Sequence, residues 1–266
     1  MNSCQKVFTA CVLAVLTQAV FAQEAPDLGD AAEFSVLGGT AVTCTAGVVT
    51  GDIGVAPGTA FTNTGCTVAG ATPPATAANA TQARADFLSA YAELQNSGPC
   101  IQVPGTLAAQ NLAPGVYCTD ATAKAGTLTL SGPADAVWIF RVAGALTGTD
   151  FSVAMAGGAQ PCNVYWAPSA AVTMTTSAFK GNILAGDAAD GSVTLTGGTL
   201  AGQVLANVAV TMTNASVIGC DALSDSPSPS CKGPKHRGKH HHGKKHHDKK
   251  HHDKHGHGHG NPFMSK

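Results

Sequence analysis

Four short segments alternate apolar residues with threonine, a period-two pattern typical of strands with one buried face. The segments are GTLTLSG at 126–132, AVTMTTS at 171–177, SVTLTGG at 192–198 and AVTMTNA at 209–215. Val172, Val193 and Val210 occupy the same place in three of them, 17 to 21 residues apart. This spacing predicts one coil of a β-solenoid per repeat, with a β-sandwich of similar strands as the alternative.

Stacking these coils in register would place the threonines in parallel files on the outer face. We expect neighbours about 4.8 Å apart between strands and about 6.6 Å apart along each strand. Threonine is stiff at χ1, so its methyl and hydroxyl groups would form a fixed grid that can order water. The alternative is that threonine is simply a favourable residue for a solvent-facing strand.

One segment after Pro73-Pro74 departs from the strand pattern. Apolar residues recur there with a helical period and form one amphipathic stripe, which Gly98-Pro99 ends. The stripe consists of Ala83, Phe87, Ala90, Tyr91 and Leu94. The rest of 34–220 consists of brief apolar runs divided by glycine, which predicts a mainly β domain with one long helix.

The ends of the chain have a different composition. Residues 1–22 resemble a secretory signal, with a retained N-terminal anchor as the alternative, and residues 23–220 form the predicted folded domain. Residues 221–235 are a Ser/Pro-rich linker, and residues 236–266 a Lys/His-rich tail with too few apolar residues to fold. No other apolar run is long enough to span a membrane. We therefore expect a secreted, extracellular protein.

Charge and histidine are concentrated in the tail. All 11 histidines lie between His236 and His259, so the folded domain has no imidazole for acid–base catalysis or zinc binding. The domain is acidic and has no basic face for sequence-specific nucleic-acid recognition. The tail could bind divalent metal ions or anionic wall polymers instead. The candidate metal ligands are His240, His241, His242, His246, His247, His251 and His252.

Cysteine usage is consistent with an oxidising compartment. Seven cysteines remain after residue 22, and six of them could form three disulfides in fifteen connectivities. Our working assignment is Cys44–Cys66, Cys100–Cys118 and Cys162–Cys220, with Cys231 left over. The scattered aspartates form no calcium-binding pattern, and we expect them in turns.

Several stretches together resemble the microbial extracellular ice-binding proteins. They are VTGDIGVAPGTAFT at 49–62, LAPGVYCT at 112–119, AVWIFRVAGALT at 136–147, CNVYWAP at 162–168, FKGNILA at 179–185 and LAGQVLANVAVTMTNASVIG at 200–219. The resemblance covers 34–220 and none of the tail. It implies a discontinuous right-handed β-solenoid with one long helix alongside, which binds ice without a cofactor or catalysis.

In that family a loose T-(A/G)-x-(T/N) pattern marks the ice-binding face, and 196–199 (TGGT) fits it. The implied ice-binding residues are Thr147, Thr149, Thr173, Thr175, Ser177, Thr194, Thr196, Thr199, Thr211, Thr213 and Ser216. Two other functions stay open from the sequence. One is an extracellular wall or matrix protein that adheres through its tail, and the other is a carbohydrate-cleaving solenoid enzyme, which would need clustered carboxylates.

Overall fold

The computed structural model of the protein describes residues 23–224. The predicted signal at 1–22, residues 225–235 of the linker and the whole His-rich tail lie outside the described residues. All of the described residues belong to one compact unit.

The described chain is mainly β, with short strands and two α-helices. The first strands are β1 (Phe34–Gly38), β2 (Ala41–Thr45), β3 (Val48–Thr50), β4 (Asp52–Val55), β5 (Ala60–Thr64) and β6 (Thr67–Val68), followed by helix α1 (Ala77–Gln95). After the helix come β7 (Ile101–Gln102), β8 (Asn111–Leu112), β9 (Gly115–Asp120), β10 (Thr127–Ser131), β11 (Trp138–Ala143), β12 (Leu146–Thr149), β13 (Ser152–Ala156), β14 (Val164–Pro168) and β15 (Val172–Thr175). The last are β16 (Ala178–Lys180), β17 (Asn182–Ala185), β18 (Val193–Thr196), β19 (Thr199–Ala201), β20 (Val204–Ala206), β21 (Ala209–Thr213), β22 (Ser216–Ile218) and helix α2 (Cys220–Ser224).

These strands form three parallel sheets. Sheet A has eight strands in the order β4-β1-β20-β17-β14-β11-β9-β7, and sheet C has eight in the order β6-β3-β22-β19-β16-β13-β10-β8. Sheet B has six, in the order β12-β15-β18-β21-β2-β5. All named strand pairs are parallel, so the alternative of a β-sandwich, which is built from antiparallel strands, is wrong.

The strand order shows one coil of chain per layer, with one strand in each sheet in turn. From β11 to β22 each new coil stacks on the preceding one. The first strands of the chain then continue the stack beyond the last coil, because β1, β2 and β3 pair with β20, β21 and β22. Gln203 joins these distant parts: its buried Nε2 donates to the carbonyls of Ala31, Ala32 and Phe34 at 3.1, 2.9 and 2.7 Å.

The main core lies between the three sheets and is filled by alternate strand residues. Trp138 and Trp166 are both 0% exposed in this core. The Trp166 ring stacks on Phe140 with centroids 4.0 Å apart and contacts Phe179 at 5.0 Å. Because the inward residues pack on the next coil as well as across the core, they hold the coils in register.

Helix α1 covers sheet A, which confirms the predicted long helix. Its apolar stripe is buried in a second cluster with sheet A residues such as Leu37, Ile139 and Leu205. Tyr91 is half-buried, and its hydroxyl donates to the Pro168 carbonyl at 3.1 Å. Within 23–224, no helix combines the length and apolarity needed to span a bilayer.

Three disulfides join positions on different coils. They are Cys44–Cys66, Cys100–Cys118 and Cys162–Cys220, which confirms the working assignment. Each closes a loop of chain and so limits the conformations open to the unfolded state.

Candidate functional site

Every strand of sheet B carries two threonines at outward positions, and β2, β5 and β21 each begin with a further outward alanine. The pairing places Thr147, Thr173, Thr194, Thr211, Thr43 and Thr62 side by side, which we call the first threonine file. It places Thr149, Thr175, Thr196, Thr213, Thr45 and Thr64 in the second threonine file. The predicted register of Val172, Val193 and Val210 is confirmed. We call the two files together the threonine surface.

The threonine surface is open to solvent. Every threonine in it is exposed or half-exposed, whereas the inward residues between them, such as Val172, Met174 and Val193, are buried. Among the described residues, none of these hydroxyls hydrogen-bonds to another protein group. Because parallel strands lie about 4.8 Å apart and alternate residues about 6.6 Å apart, the surface presents a regular grid of hydroxyls and methyls.

Four members of this surface lie outside the sequence prediction: Thr43, Thr45, Thr62 and Thr64. The stretch AVTCT at 41–45 has the same template as AVTMT at 209–213, with cysteine at the inward position. This similarity is the sequence feature that indicates outward threonines at positions 43 and 45. AFTNT at 60–64 follows the template on the edge strand, where Phe61 and Asn63 lie beside the inward residues Val42 and Cys44 but Asn63 is itself exposed.

A sharp corner joins each sheet B strand to sheet C. The residue after each member of the second threonine file has a left-handed backbone conformation. This conformation redirects the chain from sheet B to sheet C. These residues are Ala46 (φ 50°), Gly65 (76°), Asp150 (52°), Thr176 (46°), Gly197 (64°) and Asn214 (51°). The TGGT motif at 196–199 therefore spans a corner, with Thr196 on sheet B and Thr199 on sheet C.

This corner corrects the position of three predicted residues. Ser177 is only 3% exposed; its hydroxyl donates to the Thr175 carbonyl at 3.1 Å and accepts from the Phe151 N–H at 3.3 Å. Thr199 and Ser216 pair with each other on sheet C. A left-handed residue interrupts the period-two alternation, so the pattern cannot be extended through it. We therefore leave Ser177, Thr199 and Ser216 out of the threonine surface.

The other two sheets offer no comparable surface. Helix α1 covers sheet A, and the outward positions of sheet C are mixed. They include Val48, which is 44% exposed, together with Lys180 and Ile218. The outward positions of the six strands of sheet B carry no charge.

Lys124 lies at the β12 edge of sheet B, where it forms a single bridge with Gly148. Its side chain is buried, at 1% exposure. Its Nζ donates to the carbonyls of Asp120 and Thr122, both at 2.8 Å, and approaches the Thr119 hydroxyl at 3.4 Å. Burial lowers the pKa of this ammonium from 10.5 to about 8, and the opposing attraction of Asp120 is smaller.

This pKa predicts how stability depends on pH. Between about pH 8 and 10.5 the unfolded chain holds a proton on Lys124 that the folded chain has released. Raising the pH through this window therefore increases the free energy of unfolding. Chemical denaturation at pH 7.5, 8.5 and 9.5 measures the rise, and Lys124→Met should lack it. Equal pH profiles for the two proteins would contradict the prediction.

The histidines proposed as metal ligands lie outside the described residues. Among residues 23–224, no cluster of three His, Cys, Asp or Glu side chains is arranged to hold a metal ion. Metal binding by the tail stays a prediction from sequence.

Comparison with known proteins gives consistent matches. The family model described as Ice-binding-like matches residues 36–218. The ice-binding protein of Flavobacterium frigoris is 34% identical over 70% of this chain and 73% of its own, and ice-binding protein K3-B1 of Typhula ishikariensis is 31% identical over 70% and 87%. The solved ice-binding protein of Antarctomyces psychrotrophicus is 30% identical, with a TM-score of 0.63 over 73% of this chain and 98% of its own. An ice-binding protein from an Arctic yeast, described for its antifreeze activity, is 27% identical, with a TM-score of 0.65 over 78% and 97%.

Proposed function

The chain belongs to the Ice-binding-like family, and on that premise we propose that it binds ice through the threonine surface of sheet B. Adsorption would inhibit the growth or recrystallisation of ice. The observation that carries the proposal is the in-register pairing of threonine with threonine across all six strands.

The chemistry of this surface suits a solid made of water. Each hydroxyl can hold one water molecule, and each stiff β-branched methyl shapes the water beside it. A single such contact is weak, but a rigid surface makes many of them at once. Their free energies add because the protein loses its translational and rotational freedom only once. No bond in the ligand is broken, and adsorption therefore needs neither a catalytic group nor a cofactor.

The remaining parts of the proposal concern architecture and location. The three parallel sheets support a right-handed β-solenoid in which sheet B is one side. The three disulfides support secretion into an oxidising compartment, since such bonds rarely persist in the cytosol. The acidic body and basic tail give no similar support for a specific wall polymer or metal partner.

Ice growth in the presence of residues 23–224 tests the function. We expect thermal hysteresis and inhibition of recrystallisation, with activity per mole close to that of the chain from residue 23 to 266. The structure gives the reason, because every residue of the threonine surface lies within 23–224. A correctly folded 23–224 protein without any effect on ice would contradict the proposal. That result would favour the adhesion alternative, whereas ice activity that requires the tail would place the ice contact outside the threonine surface.

A further inference from the structure

Sheet B contains fewer strands than the two sheets beside it. Sheets A and C have eight strands, whereas sheet B has six. In the coil formed by β9 and β10, residues 121–125 pass the place where the next sheet B strand would lie. Within this segment Lys124 bridges to Gly148, and its backbone N–H donates to the Thr147 carbonyl at 2.7 Å.

The bridge fixes which residues continue the threonine files. Because Lys124 lies beside Gly148, Ala123 falls beside Thr147 and Ala125 beside Thr149. Both alanines are exposed, and Lys124 between them is buried. This is the outward–inward–outward pattern of the neighbouring strands, with methyl groups at the two outward positions.

Polar contacts hold this short segment in place. The Ala125 N–H donates to the Thr106 carbonyl at 3.0 Å on the side away from Thr147. The Lys124 ammonium ties the same segment to the end of β9 through the carbonyl of Asp120, and it braces the segment internally through the carbonyl of Thr122. In the adjacent coil the equivalent inward position holds Gly148, and in the two coils after it Met174 and Leu195, which anchor their strands by apolar packing instead.

We propose that Lys124 is a positioning residue that holds Ala123 and Ala125 beside Thr147 and Thr149. The two alanines then form a further rung, meaning one more strand-like row, of the ice-adsorbing surface. This inference rests on the proposed function. The rung contributes methyl groups but no hydroxyls. A lysine ammonium can occupy this inward position because nearby backbone carbonyls accept its hydrogen bonds.

The double substitution Ala123→Thr and Ala125→Thr tests the rung directly. Threonine suits an extended segment and would add one hydroxyl to each file. We expect thermal hysteresis to rise roughly 1.5-fold, because contacts on a rigid surface act together. The matched control is Ala154→Thr with Ala178→Thr, two outward positions of sheet C, and it should leave thermal hysteresis unchanged.

Lys124→Met, added to the double threonine variant and assayed at pH 7, tests the positioning role. We expect the gain in hysteresis to disappear while the melting temperature changes by only a few degrees. If Lys124 only stabilised the fold, its substitution would instead lower the melting temperature. The molecules that remain folded would then keep the gain in thermal hysteresis. If the methionine variant does not fold, Lys124→Gln retains hydrogen-bond donors, and we expect it to keep part of the gain.

The outcomes separate this inference from the function on which it rests. An unsubstituted protein without thermal hysteresis would overturn both. An active unsubstituted protein whose double threonine variant shows no gain, or no more gain than the sheet C control, would overturn the further rung alone. A full gain without Lys124 would overturn the positioning role.

Discussion

Thr196→Tyr is expected to reduce thermal hysteresis at least about fivefold, because one tall side chain separates a rigid surface from all its contacts at once. Thr196 is exposed in the second threonine file, on β18, one of the two central strands of sheet B. A tyrosine ring there stands well above the neighbouring threonines. Nanolitre osmometry measures the effect, and circular dichroism checks the fold.

Thr199→Tyr is the matched control for this substitution. Thr199 is also exposed and lies three residues further along, across the corner on sheet C. We expect its hysteresis to stay near the unsubstituted value. Equal losses in the two variants would mean that the adsorbing surface extends around the corner. A loss only in Thr199→Tyr would place the surface on sheet C.

Trp166→Ala is expected to cost about 3–5 kcal/mol of unfolding free energy, the usual range for truncating a large buried aromatic residue. The Trp166 ring is 0% exposed and packs against Phe140, Phe151 and Phe179. Its Nε1 also donates to the Lys180 carbonyl at 3.0 Å. The melting temperature of a domain of this size should fall by roughly 6–20 °C.

Trp166→Phe separates packing from the hydrogen bond. It retains an aromatic ring in the stack and should lose clearly less stability than the alanine variant. Near 0 °C the folded fraction of Trp166→Ala should still show thermal hysteresis, because Trp166 does not reach the threonine surface. A change in unfolding free energy below about 1 kcal/mol for Trp166→Ala would contradict the core described here.

The sequence predicted the features that depend on local periodicity. The period-two segments gave the register of Val172, Val193 and Val210, and the helical stripe gave α1. Both signals exist because a strand or helix that buries one face must repeat its apolar residues with its own period. The outward positions on β15, β18 and β21 followed directly.

The remaining features depend on contacts between distant parts of the chain. Thr43 lies beside Thr211 because β2 stacks on β21, and the template that AVTCT shares with AVTMT does not indicate which strands pair across so many intervening residues. Ser177 was misplaced for a local reason, since the left-handed Thr176 turns the next side chain inward. The role of Lys124 leaves no pattern in the sequence, because its ammonium is held by backbone carbonyls, which every residue carries.

Direct observation of adsorption tests the central claim most closely. The protein fused to a fluorescent protein can be compared with its Thr196→Tyr and Thr199→Tyr variants on a single growing ice hemisphere. The account predicts that the unsubstituted protein and Thr199→Tyr coat the same planes of the crystal, while Thr196→Tyr leaves it dark. A folded Thr196→Tyr variant that labels ice as brightly as the unsubstituted protein would contradict binding through sheet B.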